Sequence, residues 1–460
     1  MDYLFLFFCL IIDIITVYFT YELKKTWNKS NLNTNFVNII YYILQFRFVF
    51  FGLIVSLLRI ISEGDVLKEY SVETEELFYV YLIEFISNLI FLLIFTYFIK
   101  FIKKKSKIKN YNEQNLLFIL SLFSFNFLLI LLLPGYFTNL YGFLFTAFYN
   151  YGAISAIFLL AISIKKKKKL LFLLSLTCIL IFFGKSIISG LRGGVVGVVV
   201  LFTILSYTTF SYKFFKKIVI FSFLFSVVFY QINTKLSSIK YEFVVAYANN
   251  KFDFSTIQGN VDFISDYLTE KYETEKSQKN LTSSFLKEYE FRFGASSMFA
   301  VGFLRLAQKN QYAYFAPLLN GFYSFLPKTL IDFDKPVSGS KDGSLESTGM
   351  YLSISEITKT KHNMTDFLVG PHYFWELGLS GIIIYSVLSG FSFFIIVRWL
   401  ESYGLLGLSF LILMSKPFWF QFKLWPSEII TLLITNLIPV LVIVKFLLFL
   451  TKRKIILSKT

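Results

Sequence analysis

Charge is scarce in this chain, and two residue types on which many catalytic and metal sites depend are almost missing. Asp, Glu, Lys and Arg make up only 16% of its 460 residues, where a soluble domain carries about 25%. Two cysteines are present, Cys9 and Cys178, each inside a long apolar run. That placement suggests neither a disulfide nor a metal site. No basic leader precedes the first apolar run, which Asp2 and Asp13 bracket. Residues 2–20 are therefore expected to be a retained first span rather than a cleaved signal. No internal repeat at a fixed period is visible.

Apolar surface takes the place of charge. Hydrophobic residues reach 56%, aromatics 20%, and the mean hydropathy is +0.63. A span needs about 20 mostly apolar residues, and about eleven such runs (10–12) occur: 2–20, 36–61, 77–99, 116–133, 140–163, 170–188, 194–210, 217–232, 373–397, 404–421 and 428–450. The expectation is an all-α polytopic membrane protein. Lysine and arginine cluster in alternate connections only: Lys24, Lys25 and Lys29; Lys100 to Lys109; the run Lys165 to Lys169; Lys213 to Lys217; Arg398; and Lys452 to Lys454. By the positive-inside rule these lie in the cytoplasm, with the N-terminus outside and the C-terminus cytoplasmic. The net charge of +16 is thus a signal of orientation, not of a nucleic-acid partner. The chain divides into an N-terminal bundle (1–232), a large extracytoplasmic loop (233–371) and C-terminal spans (372–460). The loop is neutral and rich in Phe, Tyr and Leu. It reads as a mostly helical cap, with amphipathic helices at Phe285 to Lys309 and Tyr314 to Phe325.

Ionisable residues inside spans are costly and usually face a cavity. Arg47 falls near the middle of its span, Arg59 and Lys185 near outer ends, Lys416 in an outer half, and Glu84 in an outer part. Single pairs such as Arg47 or Arg59 with Glu84 account for some of these. The set as a whole points to an outward-facing basic cavity for an anion, with phosphate the first class to consider. Ser189-Gly190-Leu191-Arg192-Gly193-Gly194 opens the span at 194–210. A helix N-terminus there offers free N–H groups, the glycines allow close approach, and Arg192 adds a forked donor. Packing of small residues is the alternative reading of Gly193 and Gly197. Both histidines, His362 and His372, lie where the large loop re-enters the membrane, next to Glu376. Histidine suits activation of a hydroxyl at neutral pH. Glu376 is the rival base.

Three islands resemble the bacterial O-antigen and oligosaccharide repeat-unit polymerases: Ser189-Gly190-Leu191-Arg192-Gly193-Gly194; Phe325-Leu326-Pro327-Lys328-Thr329-Leu330 with Asp334-Lys335-Pro336; and Tyr373-Phe374-Trp375-Glu376-Leu377-Gly378-Leu379-Ser380-Gly381. The resemblance covers well under a tenth of the chain, and Lys328 stands where the family usually has arginine. It implies a GT-C-like architecture and an inverting, metal-independent glycosyltransferase with no cofactor. It also implies undecaprenyl-diphosphate-linked oligosaccharide as substrate, in a setting of membrane lipid, with a chain-length regulator and a flippase as partners. The implied roles are His372, Glu376 or His362 as base. Arg192, Gly193, Gly194, Arg47, Arg59, Lys185, Arg292, Arg305 and Lys328 would hold the diphosphate. Tyr312, Tyr314, Tyr323 and Trp375 would stack on sugars. Three rivals stay open: an O-antigen ligase, for which His362-Asn363 speaks; a metal-dependent lipid-phosphate-sugar transferase, using Asp332-Phe333-Asp334 with Glu63 and Asp65; and a flippase for the same lipid-linked sugar.

Overall fold

A computed structural model of the chain describes residues 2–102, 113–133, 145–189, 192–209, 215–222, 224, 281–315, 356–357, 368–414 and 438–457. Among the described residues the structure is 88% helix with no strand. Among the described residues six helices are long and apolar enough to cross a membrane: Tyr3–Asn28, Thr34–Ile61, Thr74–Lys100, Gln114–Leu132, Phe148–Lys166 and Val369–Glu401. Four more helices fall on other apolar runs. These are α8 (Lys169–Ser189), α9 (Arg192–Thr209), α12 (Leu405–Met414) and α13 (Ile438–Leu457). Of the eleven runs expected from hydropathy, six are full-length candidates among the described residues; most of the run at 217–232, and parts of those at 404–421 and 428–450, lie outside the described residues.

The helices begin where local chemistry favours it. Asn33 caps α2 (Thr34–Arg47), its Oδ1 accepting from the Asn35 N–H at 2.9 Å. Glu73 and Glu76 form a reciprocal capping box at the start of α5 (Thr74–Lys100), which satisfies two orphan donors at once. α1 (Asp2–Asn28) runs parallel to α5: Phe5 and Phe8 meet Phe78 at one end, and Trp27 meets Phe95 at the other. Trp27 Nε1 also donates to Thr96 Oγ1 at 2.7 Å inside the bundle. The outer face of α1 leaves Leu4, Phe7 and Ile14 about half exposed, as lipid contact requires.

The second span is not a regular helix. After α2 the backbone passes through a π-helical stretch, Phe48–Leu53, before continuing as α3 (Ile54–Ile61). π-Segments widen a helix locally and often lie at functional sites. A short α4 (Asp65–Glu69) leads into α5. Among the described residues the most extensive packing is between α5 and α11 (Val369–Glu401), where Ser87 and Ser386 hydroxyls meet at 2.8 Å. α6 (Glu113–Leu132), α7 (Phe145–Lys166) and α8 form a second group, in which Phe123 sits edge-on to Tyr151.

α10 (Leu281–Gln308) belongs to the large loop, and its middle is buried. Ala295, Met298, Phe299 and Phe303 join Leu77, Val80 and Tyr373 in one apolar cluster with Leu6 and Cys9 of α1. The helix expected over Phe285 to Lys309 is therefore present, starting four residues earlier. Of the helix expected over Tyr314 to Phe325, residues 316–325 lie outside the described residues. Tyr314 and Phe315 form a turn with φ of +44° and +66°, because the N–H groups of Ala313 and Tyr314 are drawn to carbonyls of α11.

Candidate functional site

α11 is broken. Leu377 and Gly378 leave helical geometry, and Gly378 has φ +63° and ψ −146°, a region that strains any residue with a Cβ. The break separates a buried first segment, residues 369–376, from the long apolar segment that follows. Ending a helix inside protein leaves carbonyls without partners. Here Ala313 N–H donates to Trp375 O at 3.2 Å and Tyr314 N–H to Glu376 O at 3.1 Å. Trp375 Nε1 returns a bond to Gln311 O at 2.7 Å. Residues 311–314 of the large loop thereby fasten the end of the short segment.

That segment carries the paired candidates. His372 Nδ1 stands 3.1 Å from Glu376 Oε1, one helical turn apart, and both side chains are 0% exposed. The other carboxylate oxygen, Glu376 Oε2, accepts from the Tyr385 hydroxyl at 2.6 Å. Tyr385 is stacked against Tyr373 with ring centroids 5.0 Å apart. Phe303 of α10 sits edge-on to the His372 ring at 5.3 Å. The sequence alone brought His372 and Glu376 forward; the structure adds Tyr385, which lies beyond the break and is brought back only by the fold.

The start of the segment is also engaged. Gly370 N–H donates to Glu84 Oε2 at 2.6 Å, and Asn88 Nδ2 donates to Glu84 Oε1 at 3.1 Å. The N–H groups at this helix end are thus met by a carboxylate of α5. Glu84 and Asn88 line a small cavity with Arg47, Asp13, Tyr81 and Ser297. Its volume is about 40 Å³, room for a few waters at roughly 10–15 Å³ each and too little for a diphosphate. Two carboxylates, Asp13 and Glu84, face it against the single Arg47 guanidinium, so the acids outnumber the cation and the cavity is not basic.

Arg59 is 2% exposed and committed to protein groups. It donates to Tyr81 Oη at 3.0 Å and to Gly294 O at 2.8 Å, and its Nε lies 3.8 Å from Glu290 Oε1. Ser56 Oγ donates to Asp13 Oδ2 at 2.6 Å beside the same tyrosine. Asp13, which bracketed the first span in the sequence, is thus a buried acid of this network. Its position inside an apolar run was the signal that pointed to it.

Arg305 forms a fork with Glu76, at 2.8 and 2.6 Å, and donates to Ser71 O and Glu356 O. The Glu76 carboxylate raises the guanidinium above its ordinary value. Lys309 completes the latch with Glu356 at 2.5 Å. Lys185 is exposed on α8. Arg192, Gly193 and Gly194 open α9, and Arg292 lies on α10; the side chains of these four positions lie outside the described residues. His362, Lys328, Tyr323, Asp332, Asp334 and Lys416 also lie outside them. The Tyr312 and Tyr314 rings are 5.9 Å apart, and Tyr314 is 66% exposed. Trp375, in contrast, is 6% exposed and packed on Phe303 and His372, so protein occupies the ring face expected to meet a sugar.

No protein-family profile, no characterised protein and no solved structure matches the chain.

Proposed function

We propose that the protein is an integral membrane glycosyltransferase, GT-C-like in architecture, that polymerises undecaprenyl-diphosphate-linked oligosaccharide units at the outer face of the cytoplasmic membrane. The observation that carries this reading is the His372–Glu376 pair, 3.1 Å apart, on a short helix under the large loop's α10. In the reaction an acceptor sugar hydroxyl attacks the anomeric carbon of the donor chain. The new glycosidic bond forms as the bond from that carbon to the diphosphate oxygen breaks, and the lipid diphosphate leaves. The leaving group needs no strong acid, and fixed cations stabilise its developing charge. Arg192 at the start of α9 is assigned this task. Arg59 and Arg305, already held by Glu290 and Glu76, are assigned to fastening α10 instead.

In this reading His372 takes the proton from the acceptor hydroxyl, and the Glu376 carboxylate 3.1 Å from Nδ1 balances the imidazolium that forms. Tyr385 fixes the carboxylate from its far side. The full burial of the pair means that in this reading substrate entry shifts α10 or the 311–315 strap, and Tyr312 and Tyr314 on that strap are assigned to stack on the sugar.

A specific observation favours a second reading. A helix broken at Leu377–Gly378, directly after the buried carboxylate of Glu376, is the kind of element transporters place at their binding sites. A flippase for the same lipid-linked sugar would use it as a gate. The deciding experiment incubates purified protein in proteoliposomes with lipid-linked repeat units. Longer lipid-linked chains support the polymerase. Movement of units across the bilayer with no elongation overturns it in favour of the flippase.

A further inference from the structure

Between Glu113 and Glu242 the chain contains no Asp or Glu. The run Lys165 to Lys169 lies in the middle of this stretch, at the turn from α7 to α8. No carboxylate of α7, α8 or α9 can balance it. All five lysines are exposed. The turn is compact: Lys167 N–H donates to Ile164 O at 3.4 Å and Lys168 N–H to Ser163 O at 3.0 Å. Lys167 has φ +55°, a conformation usually given to glycine or asparagine at helix ends. The turn thus keeps a cation where an uncharged residue would be better accommodated.

Apolar surface accompanies the charge. Leu170 is 79% exposed and Leu173 58%. A concavity of about 440 Å³ is lined by Lys167, Lys168 and Lys169 together with Ile164, Phe172 and Leu173. A free anion would use only the lysines. A bilayer lipid would use both parts, with its headgroup phosphate among the ammonium groups and an acyl chain against Phe172 and Leu173. α7 ends at this turn and contains a candidate span, Phe148–Lys166, which sets the lysines at the bilayer surface where polybasic segments attract anionic lipid.

We infer that the Lys165–Lys169 turn is a binding site for an anionic phospholipid, which supplies the negative charge that α7 to α9 lack. The test uses full-length purified protein in neutral detergent, with phosphatidylglycerol, phosphatidylcholine or inorganic phosphate added, and reads retained lipid by native mass spectrometry. Wild type is expected to retain phosphatidylglycerol over phosphatidylcholine. K167Q/K168Q/K169Q is expected to lose that retention by more than about tenfold. Equal retention of the two lipids, unchanged retention in the triple variant, or displacement of phosphatidylglycerol by inorganic phosphate overturns the site. Because these lysines also bias orientation, F172S/L173S is the second variant. It keeps every charge and is expected to lose phosphatidylglycerol as well; unchanged retention there also overturns the proposal.

Discussion

Glu84 of α5 accepts the backbone N–H of Gly370 at 2.6 Å, and this one bond fixes where the buried segment of α11 begins. A carboxylate is favoured at a helix N-terminus by the exposed donors and the local positive potential. His372 follows two residues later, so its position depends on the same contact. The approach is close because residue 370 has no side chain. A Cβ there would meet Glu84 Oε2 at 2.8 Å and Ile83 O at 3.0 Å.

Gly370→Ala is therefore expected to push the segment away from α5. The cost should be about 1–3 kcal/mol, the usual range for overpacking, seen as a lower thermal midpoint in a fixed detergent. Glu84→Gln keeps an acceptor at the same place and should be milder. Equal midpoints for wild type and Gly370→Ala would show that the segment is not tightly held.

Arg59 and Glu290 are a pair 2% and 1% exposed. Removing one partner leaves a buried charge without its counter-charge, which costs about 3–5 kcal/mol. Arg59→Met is expected to destabilise the protein by that order, and Arg59→Met with Glu290→Met to recover most of the loss. Denaturation by added ionic detergent, read by tryptophan fluorescence, provides the comparison. A double variant no more stable than the single one would mean that Tyr81 and Gly294, not Glu290, are what Arg59 serves.

Arg305 and Glu76 join the large loop to α5 through a partly exposed fork, 21% and 17% exposed. Solvent screening limits its worth to about 1 kcal/mol despite the good geometry. A double-mutant cycle with Arg305→Ala and Glu76→Ala should give a coupling of that size, smaller at high salt. Arg305→Lys should recover little, since a lysine cannot span both oxygens and the two carbonyls. Limited proteolysis between residues 309 and 368 should speed up in each single variant, because the latch holds Glu356 as well.

Much of this arrangement is legible in the sequence, and the reason differs from part to part. Apolar runs mark helices directly, since a span must satisfy its backbone internally; α1, α5 and α11 fall where hydropathy places them. His372 and Glu376 are one turn apart on one helix, so their meeting follows from spacing. The π-stretch after Arg47 and the break at Leu377–Gly378 have no such signature, because both depend on tertiary partners: Asp13 and Tyr81 beside the first, residues 313 and 314 bonded to the second. The pairing of Arg59 with Glu290 joins residues far apart in the chain. Charge position alone suggested a shared basic cavity, whereas the fold provides acids enough to neutralise Arg47 and Arg59 separately.

The His372–Glu376–Tyr385 arrangement gives the sharpest functional expectation. If His372 takes the acceptor proton, His372→Ala removes the base and should lower polymer formation by about 10²–10⁴-fold, the usual contribution of general base catalysis. Glu376→Gln can still contact Nδ1 but no longer stabilises a charged imidazole. It should reduce turnover with a smaller effect on apparent substrate affinity. Tyr385→Phe leaves His372 untouched and frees one carboxylate oxygen, so it should move the pH profile of elongation rather than abolish activity. Polymer length on lipid-linked oligosaccharide, followed by gel for the three variants across a pH series, separates these outcomes. Normal elongation in a correctly inserted His372→Ala protein would remove the base assignment, and loss of folding in Tyr385→Phe with an unshifted profile in the surviving fraction would make the tyrosine a packing residue only.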